Sequence, residues 1–203
     1  VAYGDDALLI DQLGVGGAAA FRSTLLQECV RRGLAVGDVV PAAASLVVTC
    51  RTTIRDELHG VIQTVLEEHI NPSDVAGDVV HIAVRYDGDD LAEVAVATSL
   101  TIADVIRLHS SADYQVEFCG FVPGFAYLRG LATELHLPRR SSPRVRVPAG
   151  AVAIASYYSA VYPRESPGGW HLLGTTSLTM WDALRTPPAL LQPGARVRFV
   201  PQS

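Results

Sequence analysis

Glu117-Phe118-Cys119-Gly120-Phe121-Val122-Pro123-Gly124-Phe125-Ala126-Tyr127-Leu128 opens the decisive stretch of this chain. It runs on through Leu137-Pro138-Arg139-Arg140-Ser141-Ser142-Pro143-Arg144-Val145-Arg146-Val147-Pro148-Ala149-Gly150 and reaches Glu165-Ser166-Pro167-Gly168-Gly169-Trp170. Glycine and proline at this density break the 3.6-residue repeat of a helix. The segment therefore reads as short strands joined by tight turns. Val145/Val147, Val152/Ile154 and Val197/Phe199 alternate with other positions at period two, as in a closed or nearly closed antiparallel sheet.

Outward from that stretch the composition changes. Residues 1–116 hold 7 Arg against 17 acids, whereas residues 117–203 hold 9 Arg against 4 acids, and 10 of the 12 prolines follow residue 116. Two domains of different character are expected. The first alternates strand and helix signals. Ala7–Leu13 reads as a strand, Ala18–Arg32 as a helix ending at Gly33, and Val36–Val40 and Ser45–Cys50 as strands. Thr53–Ile70 reads as a second helix ended by Asn71-Pro72, and Val79–Tyr86 as a closing strand. The order β-α-β-β-α-β is that of a ferredoxin-like unit. Two shorter helices follow, at Asp90-Leu91-Ala92-Glu93 and Thr101-Ile102-Ala103-Asp104, each with the spacing of a capping box.

Composition limits the chemistry. All 16 basic residues are arginine, which excludes Schiff-base lysine chemistry and the lysine of a P-loop. Cys29, Cys50 and Cys119 have no paired spacing, so neither a zinc site nor a disulfide framework is expected, and Cys119 reads as a buried strand residue. Gly14-Val15-Gly16-Gly17 lacks the third glycine of a dinucleotide loop and reads as a turn. No apolar run approaches a membrane span, and the acidic Gly4-Asp5-Asp6 is unlike a signal peptide, so a cytoplasmic protein is expected. The first residue is Val1, not Met, from which a few missing residues are expected. With a net charge of −5 the chain is no nucleic-acid binder on charge alone; a small anionic molecule or an acidic protein face suits the basic half better.

Arg144 and Arg146 alternate with Val145 and Val147, which points both guanidiniums to one face of a strand, with Arg139 and Arg140 shortly before them. Convergent arginines suit a carboxylate or phosphate. His109 falls at the last turn of a helix, where an imidazolium caps favourably, and Glu117 opens a barrel strand as a candidate acid or base. No Ser-His-Asp order, His pair or acid cluster completes a catalytic set, and the residues read as a binding scaffold.

The quoted motifs resemble the allophanate hydrolase subunit 1 family, also called the Kip-inhibitor family, which includes the B-type subunit of bacterial ATP-dependent 5-oxoprolinase. The resemblance rests on Tyr3-Gly4-Asp5, Ile106-Arg107-Leu108-His109-Ser110, Gly120-Phe121-x-Pro123-Gly124-Phe125-x-Tyr127-Leu128, Pro138-Arg139, Pro143-Arg144-x-Arg146-Val147-Pro148-Ala149-Gly150, Tyr162-Pro163, Ser166-Pro167-Gly168-Gly169-Trp170 and Pro193-Gly194-x-Arg196-Val197-Arg198-Phe199. It implies an α+β protein: a ferredoxin-like α/β domain over 1–86 and a cyclophilin-like antiparallel β-barrel over 87–203. It implies a subunit inactive alone, whose complex uses ATP to convert 5-oxoproline to glutamate, with no cofactor bound by this chain. The implied partners are a homologous subunit 2 of the Kip-antagonist type and a LamB/YcsF-type subunit. The alternative it carries is a Kip-type inhibitor of a sensor histidine kinase; a peptidyl-prolyl isomerase would follow only from barrel shape, which does not carry function. The expected ligand groove is Phe121, Pro123, Gly124, Phe125, Arg139, Arg144, Arg146, Ser166 and Trp170, with His109 and Glu117 as the catalytic candidates. One departure stands out: Tyr157-Tyr158-Ser159-Ala160 replaces the family's Asn-Gln-Thr-Gly, and the loop at Asp87-Gly88-Asp89 is short.

Overall fold

A computed structural model describes residues 2–13, 17–67 and 79–202. The glycine turn at 14–16 and the end of the second expected helix with Asn71-Pro72 lie outside the described residues. The chain divides into two compact units, Val1–Val75 and Ala76–Ser203.

The first unit contains β1 (Ala7–Ile10), α1 (Gly17–Arg32), β2 (Val39–Pro41), β3 (Leu46–Thr49) and α2 (Arg55–Glu67). Its strands form an antiparallel sheet in the order β1-β3-β2. Helical spacing brings Phe21, Leu25 and Cys29 of α1, and Leu58, Val61, Ile62 and Val65 of α2, to a common core with Leu8, Ile10, Leu46 and Val48. Cys29 and Cys50 belong to that core as free thiols.

The second unit contains β4 (Val79–Val84), α3 (Leu91–Ala97), α4 (Ile102–Ser111), β5 (Tyr114–Cys119), β6 (Ala126–Arg129), β7 (Arg144–Val147), β8 (Ala151–Ala155), β9 (Tyr158–Val161), β10 (Ser166–Gly168), β11 (His171–Thr175) and β12 (Arg196–Pro201). Seven strands pair in the order β11-β8-β9-β6-β5-β12-β4, and β7 and β10 make a separate two-stranded ribbon. The expected closing strand of a ferredoxin-like unit is thus corrected. β4 pairs in parallel with β12, Val79 opposite Arg196 through Val84 opposite Pro201, and belongs to the second unit. The division accordingly falls before β4, not at 86/87. An apolar run such as Val79–Val84 carries no label for which sheet will accept it, and its partner lies more than a hundred residues away.

The sheet curls until its ends meet. Beyond β4, Arg85 and Thr175 exchange backbone hydrogen bonds of 2.9 and 2.8 Å, and the Gly88 and Asp90 amides donate to the Leu173 and Leu172 carbonyls. Two glycines permit this approach. A Cβ on Gly174 would stand 2.2 Å from the Arg85 carbonyl oxygen, and one on Gly88 would stand 2.3 Å from that of Leu172. The result is a mixed α/β unit built on a nearly closed barrel.

Both faces of β8 are buried, so its alternation separates two cores, not core from solvent. Val152 and Ile154 join the larger core with Leu91, Val94 and Val105 from α3 and α4. Ala151, Ala153 and Ala155 face a second cluster of Phe125, Tyr158, Tyr162 and Trp170. Thr101 caps α4 as its spacing predicts, its hydroxyl accepting from the Asp104 amide at 3.1 Å. Asp90 does not cap α3 through its side chain, because that carboxylate is held elsewhere.

Candidate functional site

Asp90 decides the fate of the arginines. Its carboxylate is buried, with Oδ2 accepting from the Leu172 amide at 2.7 Å. Arg144 grips it in two bonds of 2.8 and 2.6 Å, and Arg140 adds a third of 2.6 Å while also reaching Glu93. Burial alone would raise the Asp90 carboxyl; the Arg144 bond, the Leu172 amide and the charges of Arg144 and Arg140 outweigh it and hold the group below the usual carboxylate range. Arg144 is therefore a strut fastening the β7–β10 ribbon to the barrel, and not a ligand arm. Arg146 pairs with Glu165 at 2.9 Å on the open surface, where such a pair contributes about 0–1 kcal/mol. The expected convergence of Arg144 and Arg146 is not found. Arg139 is exposed and makes no ion pair with another described residue.

His109 is fully buried, not a solvated cap. Its ring stacks on Phe199 at 4.5 Å, Nδ1 lies 2.8 Å from the Tyr86 hydroxyl and Nε2 lies 2.9 Å from Ser159 Oγ. Ser159 Oγ donates to the Ala153 carbonyl, so it accepts from Nε2–H, and Nδ1 accepts from Tyr86. Burial pushes the imidazole down to about 3, so the ring is neutral. It links α4 to β9 and is closed off from solvent. Ser159 carries this hydrogen-bonded chain on to the Ala153 carbonyl.

Glu117 is buried for a reason invisible in the residue pattern. Val116 opposes Leu128 and Phe118 opposes Tyr127, which leaves Glu117 as the extra residue of a β-bulge. The bulge shifts the alternation by one, so Phe118 stacks on Tyr127 at 4.2 Å in the second cluster. Burial, and then the Glu117 carboxylate beside it, push the Tyr158 phenol far up. Ser166, the first residue of β10 in the ribbon, has a buried Oγ with no hydrogen-bond partner among the described residues.

The aromatics expected to wall a groove divide. Phe125 and Trp170 are core, meeting edge to face at 5.6 Å. Phe121 is 59% exposed, held at φ +69° on the loop that joins β5 to β6. Gly124 in that loop has φ +83° and lies so near Trp181 that a Cβ would stand 2.8 Å from the tryptophan's own. The loop borders a cleft of about 390 Å³ with Cys119, Phe121, Trp181 and Gln192 among its walls. A second cleft of about 360 Å³ is lined by Pro123, Pro163, Arg164 and Trp181. Cys119 is half-buried at the end of β5, not fully buried as read from the sequence. Trp181 and Arg164 were missed at the sequence level: Trp181 lies in an irregular segment, and Arg164 sits outside every arginine cluster.

The structure thus brings Phe121, Pro123 and Gly124 to open clefts, buries Glu117, Phe125, Ser166 and Trp170, and gives Arg144 and Arg146 different carboxylate partners. Among the described residues no helix is long and apolar enough to cross a membrane.

Known proteins share both the sequence and this geometry. The profile of the family described as carboxyltransferase domain, subdomain C and D, matches residues 1–191. The Escherichia coli O157:H7 protein named as the B subunit of 5-oxoprolinase is 53% identical over 115 residues, covering 57% of this chain and 53% of that protein. The Bacillus subtilis protein of the same name is 43% identical over 125 residues, covering 60% of this chain and 52% of the relative. The chain spans about half the length of these curated relatives. Among solved structures, TTHA0988 superposes with a TM-score of 0.78 at 38% identity, over 97% of this chain and 40% of that one. The conserved protein PH0987 of Pyrococcus horikoshii gives 0.61 at 32% identity, over 99% and 96%. Urea carboxylase of Kluyveromyces lactis, at 18% identity and a TM-score of 0.72 over 100% of this chain and 21% of that one, shares the fold. The chain belongs to the family described as carboxyltransferase domain, subdomain C and D.

Proposed function

We propose that this chain works as the B-type subunit of a 5-oxoprolinase, one part of a multi-subunit enzyme that opens 5-oxoproline to glutamate with ATP and is inert by itself. The observation that carries the reading is the 53% identity to the Escherichia coli protein of that name. The absence of a complete catalytic set among the described residues supports a shared site. Glu117 and the Tyr158 phenol beside it are the proposed acid–base pair, whereas His109, both of whose ring nitrogens are engaged by Tyr86 and Ser159, is not a candidate. The partners are a homologous subunit 2 of the Kip-antagonist type and a LamB/YcsF-type subunit, the barrel is of the cyclophilin-like kind, and the complex works in the cytoplasm. The test is reconstitution. The chain alone, with ATP and 5-oxoproline, should release no glutamate, and the mixture with both partner subunits should release it. A complete, folded mixture that yields none refutes the reading.

A further inference from the structure

Six of the nine arginines of the basic half are engaged within the protein. Arg140 and Arg144 hold Asp90, Arg146 holds Glu165, and Arg198 holds Asp113. Arg129 donates to Gln115, and Arg185 donates to the carbonyls of Thr179, Met180, Pro187 and Pro188. Arg164 differs. It is exposed, it has no ion pair or hydrogen bond to another described residue, and it lines the 360 Å³ cleft beside Trp181. An arginine left without an acid at the wall of a cavity is a cation available to a ligand.

The wall opposite is rigid. Trp181 is 40% exposed, yet its backbone is fixed by a bridge to Ala189, by Leu190 N–H donating to Met180 O at 2.9 Å, and by Asp182 N–H donating to Pro188 O at 3.0 Å. Arg185 ties the same turn from beneath, with a bond of 2.8 Å to the Pro188 carbonyl. Pro123 and Pro163 have fixed φ and complete the lining. Three stiff apolar surfaces and one free guanidinium make a preformed place for a flat or apolar body bearing one carboxylate. A phosphate-rich ligand would call for further donors, and Arg164 is the one charged side chain among the lining residues.

We infer that the Pro123–Pro163–Arg164–Trp181 cleft is a binding site for a small organic carboxylate, with Arg164 pairing the carboxylate and Trp181 covering the body of the molecule. The identity of the probe rests on the proposed function, since 5-oxoproline is a flat lactam with one carboxylate; the site itself does not.

Three carboxylates (5-oxoproline, proline and cyclopentanecarboxylate) and the neutral lactam 2-pyrrolidinone are titrated into the full chain. The readout is tryptophan fluorescence, to which the exposed Trp181 responds more than the buried Trp170; Trp181→Phe confirms the source. A carboxylate should quench the wild type saturably. Arg164→Ala should weaken it roughly tenfold, the low end for an arginine–carboxylate pair because the site is open to water. Arg164 holds nothing else, so the thermal midpoint should not move. 2-Pyrrolidinone should bind wild type and Arg164→Ala alike. If 5-oxoproline binds with this dependence, site and probe both stand. If only the other carboxylates do, the site stands and its assignment to 5-oxoproline is refuted. Equal affinity of every carboxylate for wild type and Arg164→Ala, or no saturable binding of any, overturns the site.

Discussion

Replacing Asp90 by alanine removes the acceptor of three charged hydrogen bonds and of the Leu172 amide in one step. Breaking a buried ion pair from one side costs about 3–5 kcal/mol, because the partner charges are left uncompensated. Here the Asp90 side chain is 2% exposed but those of Arg140 and Arg144 are 24% and 23% exposed. The stranded guanidiniums can regain some water, which places the cost near the low end, about 3 kcal/mol. For a unit of this size that corresponds to a fall of roughly 10 °C in Tm. Both tryptophans lie in the second unit, so intrinsic fluorescence in urea or on heating reports its unfolding. Arg146→Ala is the control: it deletes an arginine of the same strand whose pair with Glu165 is exposed, and should cost less than about 1 kcal/mol. Acid adds a second readout. The Asp90 carboxyl is depressed in the folded state, so its contribution is present above an unfolded value near pH 4 and is lost as pH falls through the lower folded value. Asp90→Asn should lack that acid limb. If Asp90→Ala is within about 1 kcal/mol of Arg146→Ala, the carboxylate is not the fastening of the ribbon and the account of Arg144 fails.

Gly174→Ala should destabilise by several kcal/mol, since its Cβ would meet the Arg85 carbonyl at 2.2 Å where the barrel closes; Gly60→Ala, with open space on α2, should stabilise by about 0.5–1 kcal/mol. Urea midpoints of the two variants measure both, and a Gly174→Ala protein as stable as wild type contradicts the closure. His109 titrates at about 3 in the folded chain and near 6.5 when unfolded, so the unfolded state binds the extra proton between these values. Its stabilisation is complete above about pH 6.5 and drains as pH falls towards 3, at up to about 1.4 kcal/mol per pH unit. Stability of His109→Gln, followed from pH 7.5 to 4, should fall less steeply than wild type, and parallel curves would show that the ring is not held neutral.

Local pattern determined much of this protein. The 3.6-residue spacing of Phe21, Leu25 and Cys29 and of Leu58, Val61 and Val65 marks α1 and α2, the Thr101-to-Asp104 spacing marks the cap of α4, and glycine and proline after residue 117 mark strands and turns. The motifs of that stretch also disclosed the family. These features act over a few residues, where the chain's own stereochemistry decides. What the pattern left open depends on partners far along the chain. Val79–Val84 is legible as a strand, but only the parallel register with β12 assigns it to the barrel. Arg144 and Arg146 read as one cationic face, yet Asp90, 54 residues earlier, claims the first and leaves the second to Glu165. His109 reads as a polar cap until Phe199, Tyr86 and Ser159 enclose it. Glu117 is turned inward by a bulge that exists only because two strands pair with unequal counts. An ion pair or a burial is a property of two distant segments at once, and a charge's availability to a ligand is known only after the fold has satisfied the others.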